Sequence, residues 1–120
     1  MAIYNGHMDC IFCKIAAGEI PSTRVYESEN VFVIRDINPK APVHDLIIPK
    51  KHIVDLNELD EASLAGELLL AAKEVARIEG VDQKGYRVVI NTGKHGGQLV
   101  GHLHLHLLGG RDLGPKIVAE

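Results

Sequence analysis

Hydrophobic positions along this chain follow two periods, and each marks a different kind of element. "NVFVIRDI" (residues 30–37) is rich in β-branched residues, which predicts a strand over Val31–Arg35, and "HDLIIPKKH" (44–52) predicts a short buried strand ending at Pro49. A further strand is expected at Arg24–Glu27, after the break at Pro21, and another at Tyr86–Ile90 in "GYRVVIN". "HLHLHLL" (102–108) alternates at every step and predicts a fifth, half-buried strand. Residues 60–79, "DEASLAGELLLAAKEVARIE", carry the helical period instead. Leu64, Leu68, Ala71, Ala72, Val75 and Ile78 form one stripe, with Asp60 as the expected cap and Gly80 as the stop. Leu69, Leu70 and Ala76 widen the stripe beyond what one small sheet needs, which points to a partner chain over part of it. A polar cap at Asp9, an apolar face of Ile11, Phe12 and Ile15, and Gly18 predict a short first helix. "NPKAP" is a loop and "TGKHGGQLVG" a glycine-rich turn. The expected fold class is α+β: one domain with a five-stranded antiparallel sheet, a short N-terminal helix and one long helix. Residues 1–7, ahead of Met8, are set aside as an extension.

The alternation in 102–108 carries the chemistry. His102, His104 and His106 share one face of a strand, and Leu103, Leu105 and Leu107 share the other. The leucines make a core face. Three imidazoles on the opposite face cannot be buried without hydrogen-bond partners. Such a face can be plain solvated surface, a metal site, or a phosphate site. Histidine-x-histidine on a strand suits zinc, but no acidic residue lies within this strand. Imidazole is also nucleophilic, titrates near neutrality and donates to phosphoryl oxygens. The turn just before it supplies Asn91 and Gly93, Gly96, Gly97 and Gly101, glycines that let backbone N–H groups approach an anion. It lacks the spacing of a P-loop or a dinucleotide fingerprint.

Composition narrows the field. A 120-residue chain with 46% hydrophobic residues and net charge −3 suits a single globular domain and argues against an extended nucleic-acid or anionic-membrane surface. No apolar run approaches the ~20 residues of a membrane span. Two cysteines three apart and no export signal lead to the expectation of a reducing cytoplasm.

Taken together, "IFCKIAAGEIP", "RDINPKAPVHDLIIPKKH", "GYRVVINTGKHGGQ" and "HLHLHLLGGR" occur in order from Asp9 to Gly114. In these segments the chain resembles the branch of histidine-triad (HIT) nucleotide-binding proteins that hydrolyses nucleoside phosphoramidates. The resemblance implies that His104 is the nucleophile, forming a nucleotidyl-histidine intermediate from which a nucleoside monophosphate, AMP foremost, is released. One ring nitrogen of His104 would be free and the other held by a backbone carbonyl. His106 matches a histidine at the phosphate or departing group, and His44 matches a fourth active-site histidine; either could be the acid. Asn91, Gly97, Gln98, Leu99 and Val100 match the phosphate wall. Asp36 matches a ribose-binding carboxylate, though a strand-end aspartate also caps turns. Ile11, Phe12, Ile15, Ile34, Ile37 and Leu46 match an apolar purine slot, and could equally be ordinary core.

Position 99 often carries a hydroxyl in the family, and position 101 a large aromatic. Leu99 and Gly101 therefore put rate and leaving-group range in question. Cys10 and Cys13 fall on one helix face. With His52 and His102 they match a structural zinc set of some bacterial relatives, the other reading being two reduced thiols. No cofactor is expected in the chemistry itself. The family's form is a homodimer with sheets joined across a two-fold axis, and the tail "RDLGPKIVAE" matches one that reaches the partner's site. His7 and His95 read as exposed. Three further functions stay open: a nucleotide-binding regulator with little turnover, a metal-binding module using the cysteines and histidines, and a dinucleoside polyphosphate hydrolase, the last disfavoured because the "GGQ…HLHLHLLGGR" context leans to the phosphoramidase branch.

Overall fold

The computed structural model describes residues 9–118. In chain order the elements are α1 (Ile11–Ala16), β1 (Arg24–Glu27), β2 (Val31–Arg35) and β3 (Val43–Pro49). They continue with a 3-10 turn (Leu56–Glu58), α2 (Ala62–Ile78), β4 (Tyr86–Val89) and β5 (Leu105–Gly109). The five strands form one antiparallel sheet in the order β1-β2-β3-β5-β4, so β3 and β5 are joined at its interior.

Strand alternation sends side chains to two separate cores. On one face Val31, Val33, Ile47, Leu103, Leu105 and Leu107 pack against Leu64, Leu68, Ala71, Ala72, Val75 and Ala76 of α2. On the other, Phe32, Ile34, Leu46 and Ile48 pack against Phe12 and Ile15 of α1. The long helix thus covers one side of the sheet, while α1 covers only part of the other. No described helix is long and apolar enough to cross a membrane.

Several boundaries differ from expectation, each for a local reason. The fifth strand starts at Leu105 instead of His102. In the β3–β5 register Ile47 faces Leu105, so two positions on, Leu103 would pair with Pro49, which has no N–H to give. Leu103 turns its N–H to Ile53 O instead, at 2.7 Å. The first helix is capped by Cys10, whose sulfur accepts from Cys13 N at 3.3 Å, and not by Asp9 one residue earlier. Its buried face is Phe12, Cys13 and Ile15, while Ile11 is 47% exposed. In α2 the N-cap position is Glu61, which makes no side-chain cap bond because its carboxylate pairs with Lys51; Asp60 lies outside. Ala76 belongs to the core, whereas Ile78, Leu69 and Leu70 face outward.

One core residue was not foreseen as special. Asp45 shares parity with Val43 and Ile47, so it points toward α2 and is fully buried. Among the described residues neither of its oxygens receives a donor. Its neighbour is the Glu79 carboxylate just past the end of α2, and Glu79 itself is held by Arg35 Nε and Nη2 at 3.3 and 3.2 Å. Burial first, then contact with Glu79, pushes the Asp45 carboxyl up to about 8.

Candidate functional site

The open face of the sheet holds a cleft of about 570 Å³. His44, His104 and His106 line it together with Asp36, Ile37, Asn91, Gly97, Gln98, Leu99 and Val100. Ile11, Phe12, Ile15, Ile34 and Leu46 complete its apolar side. Every residue read from the sequence as catalytic or nucleotide-binding therefore borders one space. Lys40, Val89 and Leu108 also border it and were not anticipated. Their signal was weak, since a loop lysine and apolar strand residues look like many others.

Main-chain atoms decide which nitrogen of each ring carries a proton. His104 Nδ1 lies 2.8 Å from His102 O. A carbonyl only accepts, so Nδ1 holds the proton and Nε2 keeps its lone pair. Lys40 N donates to His44 Nδ1 at 3.0 Å, which places the His44 proton on Nε2. His44 Nε2 is 2.9 Å from His106 Nδ1, so it donates there and the His106 proton sits on Nε2. Burial pushes His106 down to about 4, with the neighbouring His104 and His44 adding to the shift. Burial also lowers His44, opposed by the Asp36 carboxylate 3.5 Å from its Nε2. Both rings are neutral at neutral pH. His104 thus offers a lone pair, and His106 an N–H.

Asp36 combines two arrangements. Its Oδ1 accepts from Asn38 N at 2.8 Å, closing the turn after β2, while Oδ2 faces His44. The 91–100 loop, read from the sequence as a phosphate wall, is closed by its own side chains. Asn91 Nδ2 donates to Gly96 O at 2.8 Å, Gln98 Oε1 accepts from Gly93 N, and Gln98 Nε2 donates to Val54 O and Val100 O. A Cβ at Gly96 would meet Thr92 O at 2.2 Å, and Gly97 has φ +80°, so the tight turn requires both glycines. Leu99 stands 95% exposed at the rim, and His95 is exposed in the same loop. His7 lies outside the described residues.

Cys10, Cys13, His52 and His102 gather behind the cleft, with their donor atoms all within 4.8 Å of one another. Cys10 Sγ is 3.2 Å and Cys13 Sγ 3.6 Å from His102 Nδ1, and Cys13 Sγ is 3.1 Å from His52 Nδ1. His102 Nε2 donates to Pro49 O at 2.8 Å, which leaves Nδ1 unprotonated and turned toward the sulfurs. Two sulfurs and two nitrogens at these spacings fit tetrahedral zinc, whose ligand–ligand edges run to roughly 3.5 Å. Burial, followed by the adjacent Cys10 sulfur, pushes the Cys13 thiol up to about 12. Asp36, His44 and His106 also bring three donor atoms within 4.8 Å, but this second group fits a cation poorly. Lys40 N–H occupies His44 Nδ1, so the Nε2 that would have to ligate carries the ring's only proton.

Residues 17–113 match the HIT domain family. The chain is 45% identical over 111 residues to the purine nucleoside phosphoramidase of Escherichia coli K12, covering 91% of this chain and 93% of that one. Among solved structures, a HIT family hydrolase from Clostridium thermocellum superposes with TM-score 0.89 at 52% identity, covering 92% of this chain and 98% of its own. A histidine triad protein from Clostridium difficile gives TM-score 0.88 at 46% identity, covering 92% and 97%. With its triad ahead of and within β5 and its fold shared over nearly the whole length, the chain belongs to the HIT, or histidine triad, family.

Proposed function

We propose that this protein hydrolyses purine nucleoside phosphoramidates, releasing the nucleoside 5′-monophosphate and the free amine. The observation that carries the reading is the His104 ring, fixed by its Nδ1–H on His102 O so that the unprotonated Nε2 remains. In the first step Nε2 attacks the α-phosphorus; the N–P bond to His104 forms as the P–N bond breaks, and the departing amine takes a proton from solvent that the water of the second step returns. In the second, water cleaves the nucleotidyl-histidine. Over both steps one water is consumed, a proton ending on the amine nitrogen and the oxygen on phosphorus. Of the two histidines that could face the departing group, His106 takes that role, because the His44 N–H is committed to His106 Nδ1. As a neutral donor, His106 Nε2–H stabilises charge on the phosphoryl oxygens. Phe12, Ile34 and Ile37 take the purine, Asp36 the ribose, and the 91–100 loop the phosphate. The name of the Escherichia coli relative supports the purine and the P–N bond.

Zinc held by Cys10, Cys13, His52 and His102 would supply structure, pinning the first turn of α1 to the sheet. A homodimer joined through the outward face of α2 is part of the same reading.

The test is AMP release from adenosine 5′-phosphoramidate for the native chain and His104→Ala. Turnover should fall by about 10³-fold or more in the variant; undiminished turnover would sink the assignment. Leu99, exposed where relatives often carry a hydroxyl, favours a second reading, a nucleotide-binding regulator with little turnover. That reading takes over if AMP binds and neither chain turns over.

A further inference from the structure

We propose that the sulfur–histidine cluster and the nucleotide cleft are energetically coupled, so that metal at one and nucleoside monophosphate at the other each tighten the other's binding. The inference rests on the two assignments above, metal at the cluster and nucleotide in the cleft.

Two routes join the sites. The first is His102. Its ring faces both sulfurs through Nδ1 and is anchored on Pro49 O through Nε2, while its own carbonyl accepts the His104 Nδ1–H. One residue thus serves the cluster with its side chain and the attacking histidine with its main chain. The second is α1. Cys10 and Cys13 flank Phe12, whose ring meets the edges of His102 and His104 at centroid distances of 5.8 and 5.2 Å and also lines the cleft. A six-residue helix does not hold itself together, since helices this short are marginal without tertiary anchors. Metal bound to both sulfurs fixes the backbone on either side of Phe12 and so fixes one wall of the cleft. A purine against Phe12 in turn holds the two sulfurs at the spacing metal requires. Whichever ligand arrives first orders α1 and His102, and the second meets them already ordered.

Binding linkage requires the two effects to be equal, with coupling factors typically about 5–150-fold. Zinc affinity of the full-length chain is measured by competition with a chromophoric chelator, with and without saturating AMP. AMP affinity is measured by calorimetry on zinc-loaded and zinc-free protein. The expected result is at least about a fivefold tightening of zinc by AMP and the same factor for AMP by zinc. Cys10→Ser with Cys13→Ser should abolish the zinc dependence of AMP binding; should that variant not fold, the native titrations decide alone. Stoichiometric zinc uptake whose affinity ignores AMP overturns the coupling and leaves the metal assignment standing. No zinc uptake overturns both, and no AMP binding to either form overturns the proposal together with the nucleotide assignment.

Discussion

At the scale of single residues, the site depends on where protons are pinned. Lys40 N and His102 O are main-chain atoms, and between them they decide that His104 presents a lone pair and His106 an N–H. Leu99 is the residue whose change reads out most cleanly. It is 95% exposed, so replacing it costs no packing. Leu99→Ser should raise kcat on an adenosine phosphoramidate by a few-fold to tenfold, about 1 kcal/mol of one added hydrogen bond, with KM little changed; steady-state kinetics on the two chains would show it. The histidine alternation made the shared face legible in sequence, because period 2 is a property of side chains. Ring tautomers were not legible, since backbone atoms donating across a turn leave no trace in residue identity. The turn-capping reading of Asp36 is met by Oδ1 on Asn38 N, while Oδ2 faces His44 and the ribose role stays part of the proposal; residue identity does not divide the work of the two oxygens.

At the scale of elements, the end of α2 is fastened to the sheet by carboxyl groups that cannot both be charged at low cost. Asp45 is buried beneath Glu79, and Arg35 pairs with the outer carboxylate. A carboxyl held up near 8 in the fold but ordinary in the unfolded chain stabilises the fold most when protonated. This contribution is complete below about pH 4 and drains away as pH rises through about 8. Asp45→Asn keeps a donor toward Glu79 and removes the charge. Its Tm should exceed that of the native chain by about 5–10 °C at pH 9, with the gap closing toward pH 5; parallel melting curves test this, and a gap independent of pH would refute it. The sequence pattern recovered the five strands and two helices, because β-branched runs and the 3.6-residue stripe are strong local signals. It missed the late start of β5, which depends on Pro49 of another strand facing Leu103. It also passed over Asp45, although a carboxylate at core parity between Val43 and Ile47 was a readable warning.

At the scale of the whole molecule, the outward face of α2 shows Leu69 at 57% and Leu70 at 64% exposure, and β4 leaves one sheet edge unpaired. Solvent-facing leucines on a helix and a free strand edge each suit a second copy of the chain. Leu70→Glu should shift sedimentation from dimer to monomer at micromolar concentration. A native chain that sediments as a monomer would remove the dimer from the reading. The sequence showed the surplus apolar width but assigned Ala76 to it, and only three-dimensional packing separates an inward alanine from its outward neighbours. His44 and His106 meanwhile sit on β3 and β5, with other strands to either side. Margins and middle are therefore under different pressures. A lineage can rework how copies of this chain meet, through an edge strand and a helix surface, while the proton arrangement that would cleave a substrate stays as it was.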